Sequence, residues 1–426
     1  MIVKAPRGMQ DILPGDVGRW HAVEARVRDL ARRYGYQEIR TPVVEHTEVF
    51  QRGVGAGTDI VDKEMYTFLD RGERSLTLRA EGTAPVIRAF LEHNLGAAGL
   101  PVKVYYLCPI FRYDRPQAGR YRQHTQFGAE VIGSPEPAAD AEVLTLAVRF
   151  LQSFGLERVE VHLNSVGDAT CRPRYLQALR EYFAPHLDEM CEDCRRRFET
   201  NPLRLLECKQ DQKIARGAPP IYDYLCGACR AHFEGVQAHF AAMGIQYALD
   251  PFIVRGLDYY TRTAAEIVSG KLGAQNSVMG GGRYDGLAEQ LGGRPTPGVG
   301  FGMGMERLLL ILEQEGITLP VEPGLDVFIA TAGTETAHAL ALADRLREAG
   351  IAADLDVMAR GLRAQMKQAD RLGAKFVLVL GDDEIRRGVV AVREMATGAQ
   401  DDVALDGLPQ ALGARLREAK SGKERG

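Results

Sequence analysis

The chain has 426 residues, 45% hydrophobic and 26% charged, enough to build two or three domains with their own cores and far from the composition of a disordered protein. Its formal net charge of −4 excludes a global positive field, so any binding of nucleic acid falls to local basic patches. No stretch approaches the roughly 18 apolar residues that span a bilayer, the N-terminus has no apolar leader region, and seven cysteines do not form a disulfide framework, so a cytoplasmic protein without membrane association is expected.

In chain order, a helix is expected from about 16 to 34, with Trp20, Val23, Val27 and Leu30 on one face and Gly35 at its C-terminal end. The extended segment "YQEIRTPVVEHTEVF" follows, broken by Pro42, then a glycine-rich loop. Next come strands that turn at Asp70 to Glu73, and two more that flank the loop "FRYDRPQAGRYRQ". Helices are expected near 140–155 and 173–183. A polar, mostly helical insertion covers about 171–245, and strands resume at 251–268. The segment "ITLPVEPGL" is a linker, and beyond it strands and helices alternate as in a small α/β domain with a partly parallel sheet.

Three stretches carry chemistry. Arg112, Arg115, Arg120 and Arg122 crowd one turn, where guanidinium forks suit a polyphosphate or an RNA end, although a solvated charged hairpin has the same composition. "GVGFGMGMERLLL" runs a glycine-rich strand into a helix, either to let a flat ligand lie on the backbone or to pack strand against helix closely. Its spacing is not a dinucleotide fingerprint. In "RGLDYYTRT", read as a strand, Tyr259 and Tyr260 fall on opposite faces, one toward a ligand and one into the sheet.

Taken in order, "EIRTPVVEHTEVF", "FRYDRPQAGRYRQHTQFGAEV" and "GVGFGMGMERLLL" resemble the three signature motifs of class II aminoacyl-tRNA synthetases. "LRAEGTAPVIRAF", "RGLDYYTRT" and "GGGRYDGL" resemble segments specific to the histidyl-tRNA synthetases, and the resemblance covers essentially the whole chain. It implies an α+β catalytic domain with a mainly antiparallel sheet over 1–322, the helical insertion within it, and an α/β anticodon-binding domain over 323–426. It further implies a homodimer with Pro42 at its interface. The implied activity is ATP-dependent, Mg²⁺-assisted activation of L-histidine and its transfer to tRNA(His). Residue by residue, the resemblance puts Glu81, Gly82 and Thr83 on the α-amino side of histidine, and Gln126, Glu130, Tyr259, Tyr260 and Tyr284 in the histidine pocket. It puts Arg112, Arg120, Arg255 and Arg307 around ATP, with Arg112 and Arg255 acting on the α-phosphate during catalysis. A polar pocket of this kind discriminates because an analogue lacking the hydrogen-bonding groups leaves the site's own groups unpaired.

Two readings stay beside this one. Related paralogues serve as non-catalytic regulatory subunits of histidine biosynthesis; those typically lack the C-terminal domain and the "RGLDYY" pattern, both present here. The paired "CEDC" and "CGAC" sequences fit either one tetrahedral zinc ion held by Cys191, Cys194, Cys226 and Cys229, or reduced thiols in the insertion. The insertion itself is assigned to the tRNA acceptor arm. Along 360–371, Arg363, Lys367 and Arg371 recur every four residues beside Arg360, on a face that can follow an RNA backbone.

Overall fold

A computed structural model describes residues 2–55, 58–156, 159–254, 256–269, 277–320, 324–332 and 336–423. The chain divides into two compact units, 1–320 and 321–426.

The first unit is built on an eight-stranded sheet in the order Gln37–Glu38, Val102–Phe111, Gln123–Ile132, Gly298–Gly304, Ser277–Arg283, Thr261–Ser269, Val159–Ser165, Tyr247–Leu249. All neighbours are antiparallel except the short outermost pair at each edge. Strand alternation gives the sheet two different faces. Phe127, Ala129, Val131, Val299, Phe301 and Met303 pack in one core with the helix Pro137–Gln152, which is buried along nearly its whole length. The opposite face carries almost no apolar bulk along its centre. There the register aligns Tyr106, Gly128, Gly302, Gly280 and Glu266 in a row across five strands. The Tyr106 ring lies against Gly128, and Gly302 and Gly280 leave a floor of bare backbone between that phenol and a carboxylate.

The helix Pro14–Arg33 buries Trp20, Val23, Val27 and Ala31, with Leu30 only partly covered, and Gly35 follows in the left-handed region at φ +75. The expected turn at Asp70 forms, with the Asp70 carbonyl accepting from the Glu73 amide at 3.0 Å. The stretch 171–245 is helical, as expected. One expectation fails: the strand that follows starts only at Thr261, so Tyr259 and Tyr260 precede it. Arg262 takes a left-handed φ of +50, and its amide and carbonyl bond Gly167 and Val166, both at 2.7 Å, ahead of the regular pairing with the neighbouring strand. The alternation of faces therefore does not apply to the tyrosine pair. Both rings are buried, with centroids 4.9 Å apart.

The second unit has a five-stranded sheet in the order Ala353–Leu355, Val327–Ala332, Phe376–Gly381, Val389–Glu394, Gln400–Ala404. Its first three strands are parallel and the rest antiparallel, so the sheet is partly parallel. The helices Thr336–Glu348 and Leu408–Lys423 cover one face with Leu342, Leu346, Leu408 and Leu412.

Candidate active site

A cleft of about 940 Å³ lies over the glycine floor. Glu81, Thr83, Gln126, Tyr259 and Tyr260 line it, as do Arg112, Arg120 and Arg307. Carboxylates with hydroxyls and guanidiniums thus share one cavity.

Glu81 precedes the helix Thr83–Glu92 and accepts from the Thr83 and Ala84 amides at 2.7 and 2.6 Å, satisfying two donors at that helix's start. Burial nonetheless pushes its carboxyl above the usual range, and the Tyr259 hydroxyl reaches it at 3.5 Å. Glu130 is fully buried and lies behind the cleft wall. Three hydroxyls donate to it: Tyr284 at 2.6 Å, Thr83 at 2.8 Å and Tyr106 at 3.3 Å. Burial raises its carboxyl to about 8 in spite of those donors. Each hydroxyl has one proton, and a proton committed to Glu130 leaves only oxygen lone pairs facing the cleft. Through Thr83 and Tyr106, an ionised Glu130 turns that wall into an acceptor surface. Tyr284 is likewise buried and is not part of the lining.

Close approach fixes these groups. A Cβ on Gly82 or on Gly128 would overlap the Tyr106 ring, which is sandwiched between them. One on Gly300 would overlap the Glu130 carboxylate, and one on Gly302 would come within 2.5 Å of the Gln126 amide. The glycine-rich strand therefore serves the neighbouring side chains as well as leaving Gly302 and Gly304 open in the lining.

Of the cations, the Arg112 Nε donates to the Ala80 carbonyl at 2.7 Å, beside Glu81, and an Arg307 guanidinium nitrogen donates to the Ser277 carbonyl. Both are held by neutral acceptors. Arg120 is paired with Asp114, while Arg122 stacks on the Tyr113 ring at 3.7 Å and Arg115 is exposed, so only two of the four loop arginines line the cleft. His124 lies between the arginines; burial and the charges of Arg112 and Arg307 depress it to about 3, so it is neutral at any physiological pH. Arg255 lies outside the described residues.

Sequence reasoning passed over two groups. Tyr106 is found by its place opposite Gly128, a signal visible only once the register is known. Glu306, in the stretch that runs from the glycine-rich strand into its helix, accepts from the Thr125 amide at 2.7 Å, and its other carboxylate oxygen has no partner among the described residues. Burial raises it to about 7.

The single four-cysteine zinc site is corrected. Cys191 and Cys194 gather with Cys208 and Asp211, whereas Cys226 and Cys229 gather with Asp168 and Cys171. The reason is local: each Cys-x-x-Cys opens a different helix, Glu192–Thr200 or Gly227–Ala242, and each helix start meets its own neighbouring turn.

The sequence model described as "Histidyl-tRNA synthetase" matches residues 8–308, and the one described as "Anticodon binding domain" matches 326–415. A protein of Desulforamulus reducens named histidine–tRNA ligase is 53% identical over 97% of this chain and 100% of its own length. The apo crystal structure of Staphylococcus aureus histidyl-tRNA synthetase aligns with a TM-score of 0.82 at 44% identity, over 96% of this chain and 100% of that one. A Bacillus halodurans chain described as an ATP phosphoribosyltransferase regulatory subunit/histidyl-tRNA synthetase aligns at a TM-score of 0.63, over 89% of this chain and 98% of its own, but at 22% identity, a likeness of fold alone. With a family match over most of its length and full-length relatives above half identity, the chain belongs to the histidyl-tRNA synthetase family.

Proposed function

We propose that this chain joins L-histidine to tRNA(His) in two steps. The histidine carboxylate attacks the α-phosphorus of ATP and pyrophosphate leaves; the 3′-terminal ribose hydroxyl of the tRNA then attacks the adenylate's carbonyl and AMP leaves. The observation that carries this reading is one cleft that gathers groups of both characters, acceptors at Glu81 and Thr83 and cations at Arg112 and Arg307. An amino acid presents an ammonium and, here, an imidazole N–H; a nucleotide presents phosphates.

We assign Glu81, Gly82 and Thr83 to the ammonium side, and Gln126, Tyr259 and Tyr260 to contact with histidine. Glu130 and Tyr284 act from behind, by orienting hydroxyls. Arg112, Arg120 and Arg307 take the phosphates and, with Arg255, neutralise the charge that develops at the α-phosphorus. The Glu306 oxygen without a partner among the described residues and the Glu266 carboxylate, both in the cleft lining, are hard oxygen donors fit for a Mg²⁺ ion. That ion would supply further neutralisation of the phosphates. We assign catalysis to 1–322, and anticodon contact to 323–426. Arg363, Lys367 and Arg371 are exposed along the helix Leu362–Arg371, whereas Arg360 precedes that helix and is tied to Asp356. A homodimer is supported by exposed Val43, Val44, Phe68 and Leu69 near Pro42 and on its small sheet Val44–His46, Ser75–Leu78, Tyr66–Leu69. Charging of tRNA for translation places the protein in the cytoplasm. The regulatory reading is disfavoured because it gives the phosphate-side arginines and the second unit nothing to do.

Pyrophosphate exchange measured with each proteinogenic amino acid tests the first step: exchange with histidine alone is expected, and its absence sinks the reading. For the second unit, Lys367→Ala should flatten the log–log salt dependence of tRNA binding by about one unit with exchange unchanged. An unaltered slope would remove this helix from the RNA contact.

A further inference from the structure

The two thiol clusters are built to the same plan. Each takes one Cys-x-x-Cys at a helix start, with Cys191 or Cys226 at the N-cap and Cys194 or Cys229 three residues on. Each is completed by an aspartate and a cysteine three residues apart, Cys208 with Asp211 and Asp168 with Cys171. We propose that each cluster holds its own structural zinc ion, one through Cys191, Cys194, Cys208 and Asp211, the other through Asp168, Cys171, Cys226 and Cys229.

The spacing suits a tetrahedral ion. With Zn–S near 2.3 Å and Zn–O near 2.0 Å, a tetrahedron has S···S edges of about 3.8 Å and S···O edges of about 3.5 Å. Cys191 and Cys208 have their sulfurs 3.7 Å apart. Cys208 lies 3.4 Å from an Asp211 oxygen, and Cys171 and Cys226 lie 3.5 and 3.9 Å from one Asp168 oxygen. All seven cysteines of the chain are free thiols, so neither cluster is a disulfide. Helix starts favour thiolates, and the aspartates are already oriented by amides: Asp211 by Cys191 at 3.1 Å, Asp168 by Thr170 at 2.9 Å.

The placement gives the ions a purpose. Cys208 lies in the cleft wall, and from the loop of Asp168 and Cys171 the Arg172 guanidinium reaches the Tyr260 carbonyl at 2.5 Å. The two sites would fix the polar insertion against the substrate cleft from two directions.

Full-length protein purified without chelator should carry about two zinc ions per chain, falling to about one in Cys208→Ser and in Cys226→Ser, and to none in the double variant. A count of zero or one in the wild type, or a count that neither substitution lowers, overturns the proposal. Cobalt(II) replacement needs no variant to fold: wild-type protein should show the intense visible bands of tetrahedral thiolate-bound cobalt at about two equivalents, and their absence overturns the proposal equally.

Discussion

Two of the places where the first unit buries charge handle it in opposite ways. Behind the sheet, Arg283 and Asp140 are completely enclosed and joined by paired contacts, including two at 3.1 Å from the Arg283 Nε, with His232 on the same carboxylate at 3.2 Å. Arg283 further donates to the Ser134 and Glu136 carbonyls at 2.8 and 3.2 Å. Each charge there is answered by its opposite, and nothing remains for a ligand. In and behind the cleft wall, Glu81 and Glu130 are held by amides and hydroxyls, and Arg112 and Arg307 by carbonyls. Neutral partners fix position without cancelling charge, so these groups stay electrostatically open. Between these two places, the charge on the nearest partner separates the closed pair from the open groups.

The largest effect is expected at the closed pair. Asp140→Ala leaves the enclosed Arg283 with only the half-buried Asp285, at 3.0 Å, as a counter-ion, and should destabilise the first unit by about 3 kcal/mol, read as a drop in the midpoint of denaturant unfolding. Little change would mean that Asp285 and the two carbonyls suffice to hold Arg283, and Asp140 would not be the closing partner. Next comes Arg112→Ala, which removes a cation that forms no close ion pair among the described residues, although its charge reaches Glu64 and Glu81. Histidine-dependent pyrophosphate exchange should fall by about 10²–10³-fold with unfolding unaltered. A loss of stability comparable to that of Asp140→Ala would move Arg112 into the structural class.

The smallest effect sharpens the contrast through pH. Since burial raises Glu130 to about 8 from an ordinary 4.5, the folded chain holds a proton there that the unfolded chain has released. That contribution to stability is complete below the lower value and is lost as pH rises through the upper one. Histidine binding should move the other way, because only ionised Glu130 commits the Thr83 and Tyr106 protons inward. The histidine KM should therefore fall as pH rises toward about 8. Glu130→Gln should raise the KM about tenfold, near 1.4 kcal/mol, flatten its pH profile and leave the KM for ATP unchanged. An effect on ATP alone would place Glu130 on the phosphate side.

Much of the fold was legible because alternation and helical spacing report burial directly: the Trp20 face, the antiparallel strands around Arg112 and the partly parallel second sheet all come from local pattern. The tyrosine pair was misplaced because its conformation depends on Arg262 bonding to Val166 and Gly167, nearly a hundred positions away in sequence. Glu130 was readable as a polar residue on a strand, but its withdrawal behind the wall depends on Gly300, which belongs to another strand. The thiols were countable, but a Cys-x-x-Cys names only half of a ligand set. The completing signals, "DATC" and "CKQD", share its three-residue spacing and would have separated the clusters.

The Tyr106 ring between Gly82 and Gly128 also limits the order in which this site can change over time. While the ring stays, neither glycine can acquire even a methyl group. If the ring is lost first, two bare glycines face a void and Glu130 loses a donor, so the intermediate is worse before it can be better. A lineage leaving this arrangement has no neutral first step, and the three positions, far apart in sequence, are bound to a shared history.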